Sequence, residues 1–207
     1  MDKLNNKIIL GLVGPLSSGK GTTSQYLKEK YNAQVYRFST ILRDILDRLH
    51  LEQSRANMQD ASRVLRETFG SDLLANVIAQ DVSSDSAKII VVDGVRREPD
   101  IKYLKELPDF HLVCINADQK IRHKRMTQRG ENPDDNQKTF EQFQQDEQAE
   151  AEQQIKQVAK LAEFTIDNNG TIDQLINKQK RSWTKLENRL TTTYLLLTTY
   201  YHLATCN

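Results

Sequence analysis

The sequence predicts an α/β fold, a five-stranded parallel sheet doubly wound by helices. Short, unbroken apolar runs recur at Ile8 to Val13, Ile89 to Val92 and Phe110 to Ile115, the pattern of strands buried on both faces. Helical stretches separate the runs, which calls for crossover connections and parallel pairing. The first run opens into Gly14-Pro15-Leu16-Ser17-Ser18-Gly19-Lys20-Gly21-Thr22, and a helix-compatible stretch to Tyr31 follows. Strand, glycine-bounded loop, lysine, hydroxyl and helix is the order a phosphate-binding loop needs.

Taken in order, Gln34 to Phe38 reads as a second short strand. Ser39-Thr40 are expected to cap a helix carrying Ile41, Leu42, Ile45, Leu46 and Leu49 at helical spacing. A long helical pattern runs from Ala56 to Val82, and Gly70-Ser71-Asp72 splits it with Ser71 as the new N-cap. The Ile89 run ends in Asp93-Gly94. Beyond the Asn132-Pro133-Asp134-Asp135 turn, Thr139, Phe140 and Phe143 begin a solvated helix that Ile155, Val158, Leu161 and Ala162 continue. Phe164-Thr165-Ile166 supplies the last strand. Residues 1–178 are read as one domain, and residues 179–207 as an extension of unassigned role, a packed helix or strand or a disordered end.

The length of 207 residues suits one α/β domain with a modest insertion. A net charge of +1 supplies no field for nucleic acid or an anionic membrane, so local arginine clusters must carry anion recognition. Cys114 and Cys206 offer neither a disulfide framework nor a CxxC metal spacing. The apolar run from Leu190 to Ala204 is shorter than the roughly 20 residues of a membrane-spanning helix. Residues 1–7 lead into a strand rather than a signal-peptide core. The expectation is a cytoplasmic protein, monomeric or weakly dimeric, with no nucleic-acid or membrane partner.

The loop defines a nucleoside triphosphate site. Glycines let the N–H groups of Gly14, Pro15, Leu16, Ser17, Ser18, Gly19, Lys20 and Gly21 (proline excepted) turn inward toward phosphate, and the helix N-terminus adds its dipole. Lys20 reaches the outer phosphates, with Thr22 or Thr23 near a metal ion. Asp93, at the carboxyl edge of a buried strand, is placed to hold Mg²⁺ through water; the alternative is a turn aspartate in Asp-Gly. Arg96 and Arg97, just beyond that edge, suit an acceptor phosphate. Arg122, Arg125 and Arg129 share a helix face, a crowding favourable only around a shared anion. A lid closing over the triphosphate fits, and a solvated basic face partnered by Asp118 and Glu131 is the plainer reading.

One departure from the usual loop is that Gly21 stands where Ser or Thr directly follows the lysine. The Gly-Lys-Gly-Thr ending resembles adenylate kinase and other nucleoside monophosphate kinases. From Ile8 to about Leu175 the order of segments resembles the P-loop kinase group that holds those enzymes and dephospho-CoA kinase. Leu65-Arg66-Glu67-x-Phe69-Gly70-x-Asp72, Val92-Asp93-Gly94-Val95-Arg96, Phe140-Glu141-x-Phe143-x-x-Asp146-Glu147 and Asn169-Gly170-Thr171 look like predicted nucleotide kinases allied with dephospho-CoA kinase.

The resemblance implies a P-loop NTPase fold with acceptor-binding helices at about 39–82 and a lid at about 119–154. It implies that Ser39 and Arg43 of Phe38-Ser39-Thr40-Ile41-Leu42-Arg43 meet the acceptor; the alternative pairs Arg43 with Asp44 or Asp47. Arg63 and Arg66, on the following helix, are expected to point into the same groove, with Asp93 also on the acceptor side, and Arg97, or Arg96 in its place, meets the acceptor phosphate. Asn169 and Gly170 pass the adenine, where a plain turn capped by Thr171 explains the same residues. Related lids carry a second arginine near Asp146, where Gln144, Gln145 and Gln148 stand here.

The expectation is therefore an ATP-dependent kinase using Mg²⁺ on a nucleotide-type acceptor, a nucleoside or deoxynucleoside monophosphate first and dephospho-CoA next. Lys20, Arg97, Arg125 and Arg129 would carry the transfer, with Thr22 and Asp93 on the metal side. A P-loop ATPase or regulatory nucleotide-binding module is the reading from another class. The guanine-reading Asn-Lys-x-Asp motif is absent, which counts against a GTPase switch.

Overall fold

The computed structural model describes residues 7–129, 135–148, 150–170 and 174, and it divides the chain into two compact units, Met1–Asn169 and Gly170–Asn207. The expected extension at 179–207, and the turn from Asn132 to Asp134, lie outside the described residues.

Five strands form one parallel sheet in the order β2-β3-β1-β4-β5: β1 Ile8–Val13, β2 Gln34–Arg37, β3 Ile89–Val95, β4 Phe110–Asn116 and β5 Phe164–Asp167. This is the doubly wound sheet the apolar runs require. β1 lies at its centre, so the chain leaving Val13 emerges between neighbours on both sides, the position where open α/β sheets hold ligands. Alternation sorts the strand side chains by face. Ile9, Val13, Ile90, Val92, Leu112 and Cys114 join Leu74, Ile78, Val82, Ile155 and Val158 in one buried cluster. Leu10, Leu12, Val91, Val113 and Ile115 take the opposite parity and are buried too.

Seven α-helices are described: α1 Lys20–Tyr31, α2 Phe38–Arg48, α3 Arg55–Phe69, α4 Leu73–Ser84, α5 Gln119–Arg129, α6 Phe140–Asp146 and α7 Glu150–Ala159. Ser54 caps α3 by accepting from the Asn57 N–H, and Thr139 with Gln142 forms a capping box on α6. The expected single helix after the 132–135 turn is two, α6 and α7.

Two expected caps fall elsewhere. α2 begins at Phe38, behind Arg37, so Ser39 and Thr40 lie inside its first turn. Starting there buries the Phe38 ring to 7% exposure, and that burial outweighs a hydroxyl cap. Asp72, rather than Ser71, stands before α4. Its carboxylate accepts from Lys102 Nζ at 2.6 Å and Tyr103 Oη at 3.0 Å instead of capping, which ties α4 to the segment beyond β3.

Candidate active site

The loop after β1 is built against the neighbouring strand. A Cβ on Gly14 would lie 2.1 Å from the Ile115 carbonyl oxygen, so only glycine lets the chain turn there. The Ser18 N–H donates to Pro15 O at 3.2 Å and closes a turn. Ser17, at φ 58°, and Gly19, at φ 106°, both adopt left-handed backbone, an arrangement that makes a concave nest of N–H groups. Holding a serine there costs on the order of 1 kcal/mol, a strain that recurs at functional sites. Lys20 Nζ donates to Gly14 O at 2.6 Å and Pro15 O at 3.0 Å, folding its ammonium across the loop. Thr23 is buried and donates to Gly19 O at 3.0 Å, whereas Thr22 is exposed. Beneath the loop, burial pushes the Cys114 thiol up while the charge of Lys20 opposes the shift.

Asp93 ends the β3 run opposite Leu12 of β1 and is 8% exposed. Its Oδ2 lies 3.2 Å from Arg37 Nε, at the end of β2, a partner the sequence reading did not name. Among the described residues no cluster of three His, Cys, Asp or Glu side chains could enclose a metal ion. A single carboxylate beside a phosphate loop nevertheless fits Mg²⁺, which keeps several waters and takes much of its coordination from substrate phosphates.

Arg66 and Arg97 are brought together on Asp100. Arg97 Nη2 donates to Asp100 Oδ1 at 3.0 Å and to Ser71 O at 3.2 Å, and Arg66 Nη1 stands 3.8 Å from the same carboxylate oxygen. The N–H groups of Arg96 and Arg97 both donate to Asp100 Oδ2, at 3.1 and 3.0 Å. Burial pushes Asp100 above its ordinary value, and the charge of Arg97 only partly offsets this. The Arg96 side chain is exposed. Arg43 has a different partner: its Nη1 donates to Gln53 Oε1 at 3.0 Å, and Gln53 in turn donates to Asp47. Ser39 is half-buried in the first turn of the same helix.

The three arginines of α5 do not act alike. Arg122 is 6% exposed, donates from Nε to Ala117 O at 2.8 Å and from Nη1 to Leu16 O at 3.3 Å, and pairs with Glu147. Its charge is spent inside the fold. Arg125 is half-buried, and burial lowers its pKa; Arg129 is exposed at the end of α5. His123 packs edge-on to Phe140 and Phe143, which holds α6 on α5.

On the far edge, Asn169 Oδ1 accepts from the Asp118 N–H at 2.6 Å, joining the loops after β5 and β4. Asn168, 3% exposed, donates to Ser18 O at 2.7 Å. Gly170 is the first residue of the second unit.

The sequence reading missed Arg37, Asp100 and the roles of Asn168 and Glu147. Asp100 alone left a local signal, a Pro-Asp step three residues after Arg97, the spacing of a capping box.

Sheet order, central loop and helical flanks together define an α/β domain with a P-loop kinase-like fold. Residues 13–141 match the family model described as AAA domain (AAA_17), and the chain belongs to that family. It is similar to the UPF0200 protein of Hyperthermus butylicus, 27% identical over 181 residues that span 87% of this chain and 96% of the relative. The UPF0200 protein of Sulfurisphaera tokodaii is 26% identical over 170 residues, 82% of this chain and 92% of that one. Among solved structures, a shikimate kinase from Bacteroides thetaiotaomicron superposes with a TM-score of 0.61 at 14% identity, covering 87% of this chain and 98% of its own. A gluconokinase from Sinorhizobium meliloti gives 0.54 at 11%, covering 91% and 98%. At these identities the likeness is one of fold. Among the described residues no helix is long and apolar enough to cross a membrane.

Proposed function

We propose that the chain is an ATP-dependent phosphotransferase that moves the γ-phosphoryl group to a nucleotide-type acceptor, a nucleoside or deoxynucleoside monophosphate before dephospho-CoA. The observation that carries the reading is a glycine-bounded nest with Lys20 at the centre of the sheet's carboxyl edge, with Asp93 on the adjoining strand and Arg66 and Arg97 gathered on Asp100 beyond it. A donor site and a separate cationic acceptor side are what phosphoryl transfer needs, since its catalysis is mostly positioning and charge stabilisation.

In this reading Gly14 to Thr23 cradle the donor phosphates, Lys20 leaves its two carbonyls for the β- and γ-oxygens, and Asn169 borders the base. Thr22 and Asp93 hold Mg²⁺, which supplies charge neutralisation on the phosphates. Ser39, Arg43, Arg66, Arg96 and Arg97 receive the acceptor, and Arg125 and Arg129 meet the transferring group when the 119–154 segment closes.

The test is ADP release from Mg-ATP across a panel of nucleoside and deoxynucleoside monophosphates, dephospho-CoA, shikimate and gluconate. The last two are the acceptors for which the structural neighbours are named. Stimulation by a monophosphate supports the reading. Stimulation by a non-nucleotide acceptor alone would keep the kinase and replace the acceptor. ADP release that no acceptor stimulates would replace the kinase with an ATPase.

A further inference from the structure

Two peptide units of the phosphate loop are held from outside it. Arg122 Nη1 donates to Leu16 O at 3.3 Å, and Asn168 Nδ2 donates to Ser18 O at 2.7 Å. Neither donor is free to move. Arg122 is fixed by Ala117 O, by Glu147 and by the Phe143 ring, whose centroid lies 5.5 Å from the guanidinium carbon. Asn168 is anchored by its own N–H, which donates to Asn116 O at 2.7 Å. Its amide orientation follows from the contact, since the flipped side chain would set two carbonyl oxygens against each other.

A trans peptide is planar, with its C=O and the following N–H pointing to opposite sides. Drawing the Leu16 carbonyl toward Arg122 therefore turns the Ser17 N–H the other way, and drawing the Ser18 carbonyl toward Asn168 does the same for Gly19. Ser17 and Gly19 both lie at positive φ within the loop. Among the described residues neither of their N–H groups donates to a protein acceptor, whereas the Ser18 N–H between them is used within the loop. The Glu147 carboxylate balances the Arg122 charge, so that arginine acts on the loop through geometry.

We propose that Arg122 and Asn168 are positioning residues: by pinning the Leu16 and Ser18 carbonyls they aim the Ser17 and Gly19 N–H groups at a di- or triphosphate, without touching it. The inference rests on the loop being the nucleotide site. It gives α5 a second task, since its first arginine sets the loop.

The experiment is calorimetric titration of the full chain with Mg-ADP and with magnesium pyrophosphate, on wild type, Asn168→Asp, Arg122→Ala and Arg122→Lys, each checked for an unchanged melting temperature. Asn168→Asp sets a carboxylate against the Ser18 carbonyl, and it should weaken both probes at least about tenfold, since a hydrogen bond to a charged group is worth 1.5–3 kcal/mol. Arg122→Ala should do likewise, and Arg122→Lys should recover part of the loss. In wild type, the Ser17 and Gly19 amide proton resonances should move downfield on saturation with pyrophosphate. Folded variants with wild-type affinity for both probes overturn the proposal. If the variants do not fold, amide resonances that stay put in pyrophosphate-saturated wild type overturn it. Wild type that binds neither probe overturns both this inference and the nucleotide reading, so the two failures are distinct.

Discussion

Arg37 Nε meets Asp93 Oδ2 at 3.2 Å across the carboxyl ends of two neighbouring strands, β2 and β3. The pair is asymmetric: the Asp93 side chain is 12% exposed and that of Arg37 49%. If Asp93 is on the metal side, as proposed, the Arg37 cation would compete with the metal ion for the same oxygens. Because Arg37 is half in water, the pair contributes no more than about 1 kcal/mol to stability. Its consequence is functional. Arg37→Gln should leave the melting temperature nearly unchanged and lower the Mg²⁺ concentration for half-maximal ATP turnover a few-fold. Asp93→Asn should cut turnover by about a hundredfold, on the order of the loss when one preorganised electrostatic contact is removed. An unchanged Mg²⁺ requirement in Arg37→Gln would remove Asp93 from the metal side.

Lys20 tests the donor site. Its ammonium rests on Gly14 O and Pro15 O, and in the proposed site it would exchange both for phosphate oxygens. Lys20→Ala should fold and lose Mg-ATP binding in a fluorescent-nucleotide titration. Retained affinity would move the site elsewhere. The substitution does not separate a kinase from an ATPase, because both need the lysine.

Asp100 gathers Arg66, Arg97 and two N–H groups while 3% exposed. Asp100→Ala would strand the arginines it neutralises and should cost about 3 kcal/mol or more in denaturant unfolding. The pH dependence has a definite sign. Burial raises the native pKa above the ordinary 3.8, so the folded chain binds the proton more tightly. The stabilisation linked to that proton is complete below 3.8 and is lost as pH rises through the native value. The stability of wild type relative to Asp100→Asn should therefore be greatest near pH 4 and shrink toward neutrality. A difference that grows with pH would contradict the burial argument.

The strands were legible because a strand buried on both faces is written as one apolar run, and Ile89 to Val92 cannot be mistaken for an alternating edge. The loop was legible because its residues are contiguous. Helix starts were less so: Ser39 and Ser71 looked like caps, but burial of Phe38 and the Lys102 bond to Asp72 decided those ends. The site beyond the loop was only half legible. Arg97 and Asp93 stood out beside a strand end, yet Arg37–Asp93 and Asn168–Ser18 exist only once the strand order is known. Arg122 misled for a related reason, since helical spacing shows which residues share a face and leaves open whether Glu147 lies opposite.

Tyr36 links β2 to the end of α4, with Oη donating to Asp85 Oδ2 at 2.7 Å. Burial, then that bond, pushes its hydroxyl up to about 12. A native pKa above the unfolded one means stability present below pH 10 and lost as pH rises toward 12. Tyr36→Phe should cost about 1 kcal/mol at pH 7 and less at pH 11. Absorbance titration of the phenolates with parallel urea melts checks both; an equal cost at the two pH values would refute the assignment.

Gly21 is the loop's departure from the usual pattern, and the fold gives it no packing reason. A Cβ there would meet nothing within 4 Å, and the residue lies in the first turn of α1, where serine is the better helix former. Gly21→Ser therefore restores a hydroxyl directly after the lysine at no steric cost and should raise stability by a few tenths of a kcal/mol. If Thr22 holds Mg²⁺, Thr22→Ala raises the Mg²⁺ requirement of ATP turnover, and adding Gly21→Ser brings it back. The double-mutant cycle then shows coupling between adjacent hydroxyls that serve one ion. If Thr22→Ala changes nothing, the exposed Thr22 side chain is outside the coordination sphere, and the ion is left to Asp93, water and the phosphates. Gly21→Ser alone would then still lower the requirement, because it adds a ligand where the chain has none.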